Sequence, residues 1–425
     1  RWRVDMVAIA ESPLKKRVIR SSVWSVGGHI VSQLIRLAGN LITTRLLMPE
    51  MFGVMAIANI IFIGVEMFSD LGIQQNIIQS RRGHDPVFLN TAWTLQILRG
   101  VLLALIVLLL AGLIDWVGQH DGFPKASAYA NPMLPSVVAM LSIAPILGGL
   151  ESTKLVLARR NLDLARYTVL EILSQAAGPS TIIVWCSFDR SLWALVAGWI
   201  AVSFTRFCLS HILLNGPRNQ WLLDKEILKT LYHFGKWIFV SSILGFLLNN
   251  GDRILFGAYM SAHEMGIYSI AFLMTSAVES LLRKLVTGVS FPALSELYRN
   301  EPDRFKANYY RFRRPIDILS LFAVGIVFSC AQALIDLFYD QRYHDAGWML
   351  QMMAVSLFFI RFEIAGLCYL VIDKPKLLTI VNFLRMLGLY VSVPLIFEMA
   401  GIQWAILIAA ANGIIALPLI FYFNA

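Results

Sequence analysis

Charge is scarce in this sequence. Asp, Glu, Lys and Arg make up 15% of its 425 residues, against 57% for the hydrophobic types. A soluble domain covers its surface with roughly a quarter of its residues charged, so a water-soluble globule does not fit. Cysteine is scarce too: Cys186, Cys208, Cys330 and Cys368 all lie in apolar stretches, with none of the C-x-x-C spacing of a metal or redox site. Such cysteines act as small hydrophobes. No histidine has a second one at metal-ligand spacing. G-x-S-x-G, Walker A and Gly-rich nucleotide turns are missing as well, so ATP is not the energy source within this chain. Residues 1–20 are basic and polar, without the short apolar core and cleavage site of a signal peptide. The first hydrophobic stretch therefore reads as a permanent helix.

What is present is a succession of apolar runs, each long enough to cross ~30 Å of hydrocarbon at ~1.5 Å per residue. Hydropathy predicts twelve spans, near 20–44, 52–75, 87–114, 133–156, 166–187, 191–214, 231–257, 266–290, 314–339, 348–371, 376–398 and 401–424. Pro145, Pro179, Pro394 and Pro418 fall inside spans, where they mark kinks. Lys and Arg collect in alternate loops: Lys15–Arg20, Arg81 and Arg82, Lys154–Arg166, Arg218–Lys236, Arg283–Arg314, then Lys374 and Lys376. The opposite loops hold only Arg45, Lys125, Arg190 and Arg342. By the positive-inside rule both termini are cytoplasmic. The same alternation explains the net charge of +9 as topology, and no nucleic-acid partner is expected. The longest outer loop, about 115–132, is too short for a soluble domain. Residues 291–314 suit a short amphipathic surface helix, with Phe305, Tyr309 and Phe312 inward.

The chain repeats itself. Trp24 matches Trp237, Ile30 matches Ile243, Gly53 matches Gly266, Ile57-Ala58 match Ile270-Ala271 and Glu66 matches Glu279, all at a shift of 213 residues. Six spans per repeat is an even number, so both halves enter from the same side and are parallel repeats about an axis along the membrane normal. The expected organisation is a basic segment over 1–19, a six-helix bundle over 20–215, a cytoplasmic linker over 216–230 and a second six-helix bundle over 231–425. Such bundles enclose a central cavity. Each half then supplies the other's cavity wall, which favours a monomer.

Ionisable residues at bilayer depth cost roughly 2.5–3.5 kcal/mol on insertion scales unless they face protein or water. Arg36, Glu66, Asp70, Arg99, Glu151, Glu171, Arg206, Asp252, Arg253, Glu279, Arg283, Asp317, Arg361, Glu363 and Arg385 all fall inside predicted spans. Glu279 and Arg283, one turn apart, suit a local pair, while Arg206, Glu151, Arg283 and Asp317 lie near enough to span ends to snorkel. Arg36, Arg99, Arg361 and Arg385 sit deep in their apolar runs, and guanidinium groups lining a wet cavity suit an anionic substrate. Interhelical Arg–Glu pairing is the competing account of these residues. A membrane glycan polymerase or ligase is the competing class. Its best candidates are Asp336, Asp340 and Asp345 at one outer span end, which read equally as a solvated loop.

Short motifs then add a resemblance. Arg45-Leu46-Leu47-Met48-Pro49-Glu50-Met51-Phe52-Gly53 resembles the turn after the first span of polysaccharide-transporter (Wzx-type) flippases. Asp70-Leu71-Gly72 with Ile77-Ile78-Gln79, Asp252 to Gly257 with Gly266 to Ala271, and Phe291-Pro292-Ala293-Leu294-Ser295 resemble that family's later motifs, in order. The resemblance implies the multidrug/oligosaccharidyl-lipid/polysaccharide exporter fold: an all-α membrane protein of two six-helix bundles around a cavity. It implies a bacterial inner-membrane flippase. The substrate would be a polyprenyl-pyrophosphate-linked oligosaccharide, moved to the periplasmic leaflet by alternating access for surface or exopolysaccharide assembly. Polymerase and export machinery would be its partners, with no cofactor. Carried onto this sequence, the pyrophosphate would meet Arg36 and Arg253 first, then Arg99, Arg361 and Arg385. Glu66, Asp70, Glu279, Asp252 and Glu363 become candidates for ion coupling or gating. Lipid II flippases share the architecture but carry two further spans, whereas this sequence stops at residue 425. A multidrug exporter, the other alternative, would favour carboxylates and aromatics over arginines.

Overall fold

The computed structural model describes residues 13–67, 72–80, 82–161, 163–286, 291–300, 305–371 and 374–418. Every regular element among them is helical. In hydrocarbon no water is on hand to bond backbone groups, so a chain this apolar must satisfy them within each segment. The chain divides into two compact units. The first holds the chain to Leu47, Ile61–Gly122 and Pro132–Ile243; the second holds Met48–Ile60, Phe123–Asn131 and everything from Leu244 onward.

The helices are α1 (Pro13–Leu46), α2 (Pro49–Met67), α3 (Ile73–Gln79), α4 (Pro86–Gln119), α5 (Leu134–Leu141), α6 (Ile143–Leu150), α7 (Lys154–Arg160), α8 (Leu164–Cys186) and α9 (Leu192–Ile212). They continue as α10 (Lys225–Tyr259), α11 (Ala262–Leu285), α12 (Phe291–Asn300), α13 (Phe305–Phe338), α14 (Ala346–Phe359), α15 (Glu363–Val371), α16 (Pro375–Ala400) and α17 (Ile402–Ala410). In the first unit α8 packs against α1 and α9, and α4 against α5 and α6. In the second, α14 packs against α13, α11 and α17, and α16 lies along α17.

Among the described residues, eight helical stretches are long and apolar enough to cross a membrane, and a bent pair makes a ninth. The predicted spans 20–44 and 231–257 fall in α1 and α10, which are not among these stretches. Both run past a single bilayer: α1 has 34 residues and α10 has 35, about 50 Å of helix each. Their Lys and Arg residues gather toward the N-terminal ends of both helices in sequence. The predicted span 133–156 is broken. It forms α5 and α6, then turns by 60° into α7. The break is held from outside, because Ser152 N–H donates to Ser210 Oγ (2.9 Å) and Gln96 Nε2 donates to the carbonyls of Gly148, Gly149 and Glu151. The predicted surface helix 291–314 resolves into α12 and the first turns of α13, with residues 301–304 outside the description.

Loop contacts fix the first unit. Asp85 caps α4 by accepting from Val87 N–H (3.0 Å), with Pro86 in the first turn. The Arg82 guanidinium, hydrogen-bonded to it, holds the Asp85 carboxyl below its usual range. The chain after α9 is strapped along α4, where Gln220, Leu222 and Asp224 N–H donate to Asn90, Thr94 and Thr91 at 3.0, 3.1 and 3.2 Å. Ile73, Ile77, Phe88, Leu89, Val156 and Leu231 form a core beneath these segments. Exposed leucines such as Leu109 (74%) lie on the opposite face of α4, as expected of a lipid-facing surface.

Candidate functional site

Polar side chains at bilayer depth meet around a cavity of about 420 Å³ inside the second unit. Its wall is built from α10, α11, α14, α15, α16, α17 and the residues after α17. Gly251 lets α10 approach α16, since a Cβ there would press into Leu389 and Tyr390. This close approach turns Asp252 to the cavity, where it accepts from the fully buried Tyr268 hydroxyl at 2.7 Å. Glu279 and Arg283 face it from α11, one turn apart, with Arg283 Nε and Nη2 donating to Glu279 Oε1 at 2.9 and 2.6 Å. Arg283 Nη1 also pairs with Glu363 at the start of α15. Arg385 enters from α16.

The hydrogen-bond ledger of this cluster is uneven. One guanidinium, Arg283, engages both carboxylates. Arg385 lies in the field of Glu363 and Glu279, yet its Nε is buried without a hydrogen-bond partner. No ion pair to Arg385 is recorded among the described residues. A buried donor left unmade costs roughly 1–3 kcal/mol; the Nε atoms of Arg253 and Arg361 share that condition, but of these three guanidinium groups only Arg385 lines the cavity. Such a group grips phosphate or carboxylate oxygens bidentately.

The sequence-predicted residues separate accordingly. Asp252, Glu279, Glu363 and Arg385 line the cavity; Arg253 and Arg361 do not. Arg253 pairs with Asn250 Oδ1, stacks 4.0 Å over the Phe272 ring and lies 4.0 Å from Asp252. Arg361 is 3.4 Å from Asp317, which also pairs with Arg313 at 3.3 Å, and it stacks on Phe358 and Phe362. In the first unit Arg99 donates to the Glu66 carbonyl (2.9 Å), and Glu66 is exposed. Arg36 is exposed on α1. Asp70 lies outside the described residues.

Two features escape the sequence reading. Arg283, read as a snorkelling or locally paired residue, is the centre of the cavity cluster. Its partner Glu363 is 80 residues away on another helix, so no local spacing signals it. In the first unit, Arg206 bridges Glu151 (2.9 Å) and Glu171 (2.6 Å). These three come from α9, the α6–α7 break and α8. Only their common depth in the spans hints at a cluster.

Comparison with known proteins agrees with this architecture. A family model described as polysaccharide biosynthesis protein matches residues 42–348. The lipopolysaccharide biosynthesis protein WzxC of Escherichia coli (strain K12) is 21% identical over 80% of this chain and 67% of its own length. A putative O-antigen transporter of Shigella flexneri is 22% identical, covering 80% of this chain and 82% of its own. Among solved structures, the lipid II flippase MurJ in an inward closed conformation superposes with a TM-score of 0.70 at 12% identity, over 96% of this chain and 87% of that one. An inward-facing multidrug resistance MATE family transporter of the MOP superfamily gives 0.67 at 15% identity, over 92% and 94%. At these identities the structures speak to fold alone, and the fold is that of the superfamily. The relatives with a named activity are transporters and flippases rather than enzymes.

Proposed function

The chain belongs to the polysaccharide biosynthesis protein family, and from that premise we propose that this multi-span membrane transporter flips a polyprenyl-pyrophosphate-linked oligosaccharide. Transport runs from the cytoplasmic to the periplasmic leaflet of a bacterial inner membrane by alternating access, with both termini cytoplasmic. The product feeds surface or exopolysaccharide assembly, where polymerase and export machinery are the partners. The transporter acts as a monomer.

One observation carries this reading: the unspent guanidinium of Arg385 in a cavity already supplied with one engaged arginine. A cation exporter needs the converse, a carboxylate left over. Here Glu279 and Glu363 both engage Arg283, and Asp252 accepts from Tyr268 with the Arg253 guanidinium 4.0 Å away to balance its charge. The anion reading is therefore the better fit than drug export. Arg36 and Arg253, then Arg99 and Arg361, are weaker candidates for contact with the pyrophosphate. Glu279 and Glu363 supply coupling: a pyrophosphate on Arg385 brings negative charge beside Glu363 and favours taking up a proton there. Glu66, Asp70 and Asp252 are the remaining carboxylates for ion coupling.

The test is translocation in sealed proteoliposomes carrying a labelled polyprenyl-pyrophosphate oligosaccharide, with and without a proton or sodium gradient. Wild type should move the lipid; Arg385→Ala should lose most of that flux and Arg385→Lys should keep part of it. Movement of cationic dyes in place of the lipid would favour a multidrug exporter. Transfer or polymerisation of the sugar would mean an enzyme.

A further inference from the structure

Glu50 begins α2 and His263 lies in the first turn of α11, and the two are 213 residues apart. That is the interval of the internal repeat, so each is the other's repeat mate. The coincidence extends to the backbone. Gly53 and Gly266 are mates, as are Pro49 and Ala262. A Cβ on Gly53 would overlap the Ala262 carbonyl oxygen, and a Cβ on Gly266 would overlap that of Pro49. Within the second unit, which takes in Met48–Ile60, two helix starts thus cross backbone on backbone about a local two-fold axis. Only glycine at both positions permits the approach.

Below the crossing the chain is sealed. Ile57, Ala58, Ile270 and Ala271 are at most 1% exposed. Ala128 N–H donates to the Met260 carbonyl (2.7 Å), Tyr129 hydroxyl to that of Ile254 (3.1 Å), and Phe52 meets Tyr343 edge-on. Burial pushes the Tyr129 phenol up to about 12, so it stays a donor. The rim is different. His263 Nδ1 lies 2.7 Å from Glu50 Oε1, with both side chains nearly half exposed. Water reaches this pair.

We propose that this crossing is the outer gate of the transporter, shut in this conformation, and that Glu50–His263 is its proton-controlled latch. The proposal rests on the transporter reading and on the orientation that places the α1–α2 turn outside. Histidine is the side chain whose ordinary charge change falls between about pH 5 and 8. With the imidazole charged and Glu50 ionised, the latch is an ion pair. As outer pH rises, it weakens to a hydrogen bond from an uncharged imidazole to the Glu50 carboxylate. The charged neighbours do not substitute for it. Arg342, in the field of Glu50 from the loop after α13, is engaged by Asp340. Glu264 on the latch's own helix is engaged by the Ser261 cap. Asp336 of α13 pairs with His344, and Tyr343 is buried below. The 3-10 turn at Ala128–Ala130 offers only Tyr129. The proton enters and leaves from the same side, so the latch regulates and does not drive transport. Acid outside holds the gate shut.

Amide exchange read by mass spectrometry on the full chain in lipid nanodiscs tests this. In wild type, exchange in residues 49–58 and 262–271, corrected for intrinsic pH dependence, should quicken about two- to five-fold between pH 5.5 and 8, the range of an exposed ion pair. His263→Asn and Glu50→Gln should each abolish that dependence, with no further change in the double variant. Gly266→Ala should quicken exchange at every pH. If either single variant keeps the wild-type pH dependence, the latch is wrong. If Gly266→Ala leaves both segments unchanged, the crossing is not a gate. Lipid-linked sugar flux in the same variants separates the two readings: a pH-sensitive gate without flux overturns the substrate assignment and leaves the latch standing.

Discussion

Each unit holds a knot of charge at bilayer depth, and the two are built from the same residue types to different ends. In the first unit one guanidinium, Arg206, is shared by Glu151 and Glu171 at 2.9 and 2.6 Å. In the second, Arg283 is likewise shared by Glu279 and Glu363, but a further guanidinium, Arg385, stands beside them at a cavity wall. A bare count of intramembrane charges treats these alike. What separates them is spare hydrogen-bonding capacity next to open volume. The Arg206 knot joins three helix segments, α9, α8 and the α6–α7 break, and behaves as a fastener. The second cluster keeps a donor in reserve.

The largest effect should come from breaking the fastener. Arg206→Ala leaves two mostly buried carboxylates without their shared cation, and losing one partner of such a pair costs about 3 kcal/mol. Thermal unfolding in detergent should show a clearly lowered midpoint, with flux per folded molecule largely retained. Full stability with lost flux would make Arg206 a transport residue and erase the distinction.

Arg385→Ala should do the reverse. Nothing among the described residues loses a hydrogen bond, so the unfolding midpoint should stay near wild type. Flux of lipid-linked oligosaccharide should fall about 10- to 100-fold, the worth of a charge-assisted bidentate contact. Glu363→Gln comes next. It frees half of the Arg283 guanidinium, so affinity for the anionic substrate should rise a few-fold while dependence on the proton gradient weakens. Titration of substrate binding at two pH values measures both. Unchanged binding and unchanged gradient dependence would remove Glu363 from the coupling.

How much of this was legible in the chain follows from where the partners lie. Glu279 and Arg283 are one helical turn apart, and their pairing could be read directly. Glu363 and Arg385 join them from α15 and α16, and Arg206 meets residues of other segments. Hydropathy places such residues at a depth but does not fix the rotation of a helix, so the partners stayed hidden. The helical class was plain because continuous apolar runs of about 20 residues cross lipid as helices, whose backbone bonds close within the segment. The break after Leu150 was not, because Ser210 and Gln96 create it from elsewhere in the fold. The repeat was visible as a shift of 213 residues. That two repeat mates touch could come only from coordinates.

Arg361 offers the smallest effect and the sharpest check. The sequence ranks it with Arg385, deep in an apolar run, yet its guanidinium is 3.4 Å from Asp317 and stacked on Phe358 and Phe362, away from the cavity. Asp317 keeps Arg313 when Arg361 is removed. Methionine in place of Arg361 retains most of the packing against both rings and leaves no carboxylate alone. Arg361→Met should therefore cost about 1 kcal/mol in stability, the scale of a cation–π contact in a partly desolvated site, and flux should stay within about two-fold of wild type. A loss of flux as deep as that of Arg385→Ala would show that a guanidinium paired with a carboxylate away from the cavity serves the substrate as well as one at the cavity wall. Position at the cavity would then no longer separate transport residues from structural ones, and burial depth alone would be the better guide to the path.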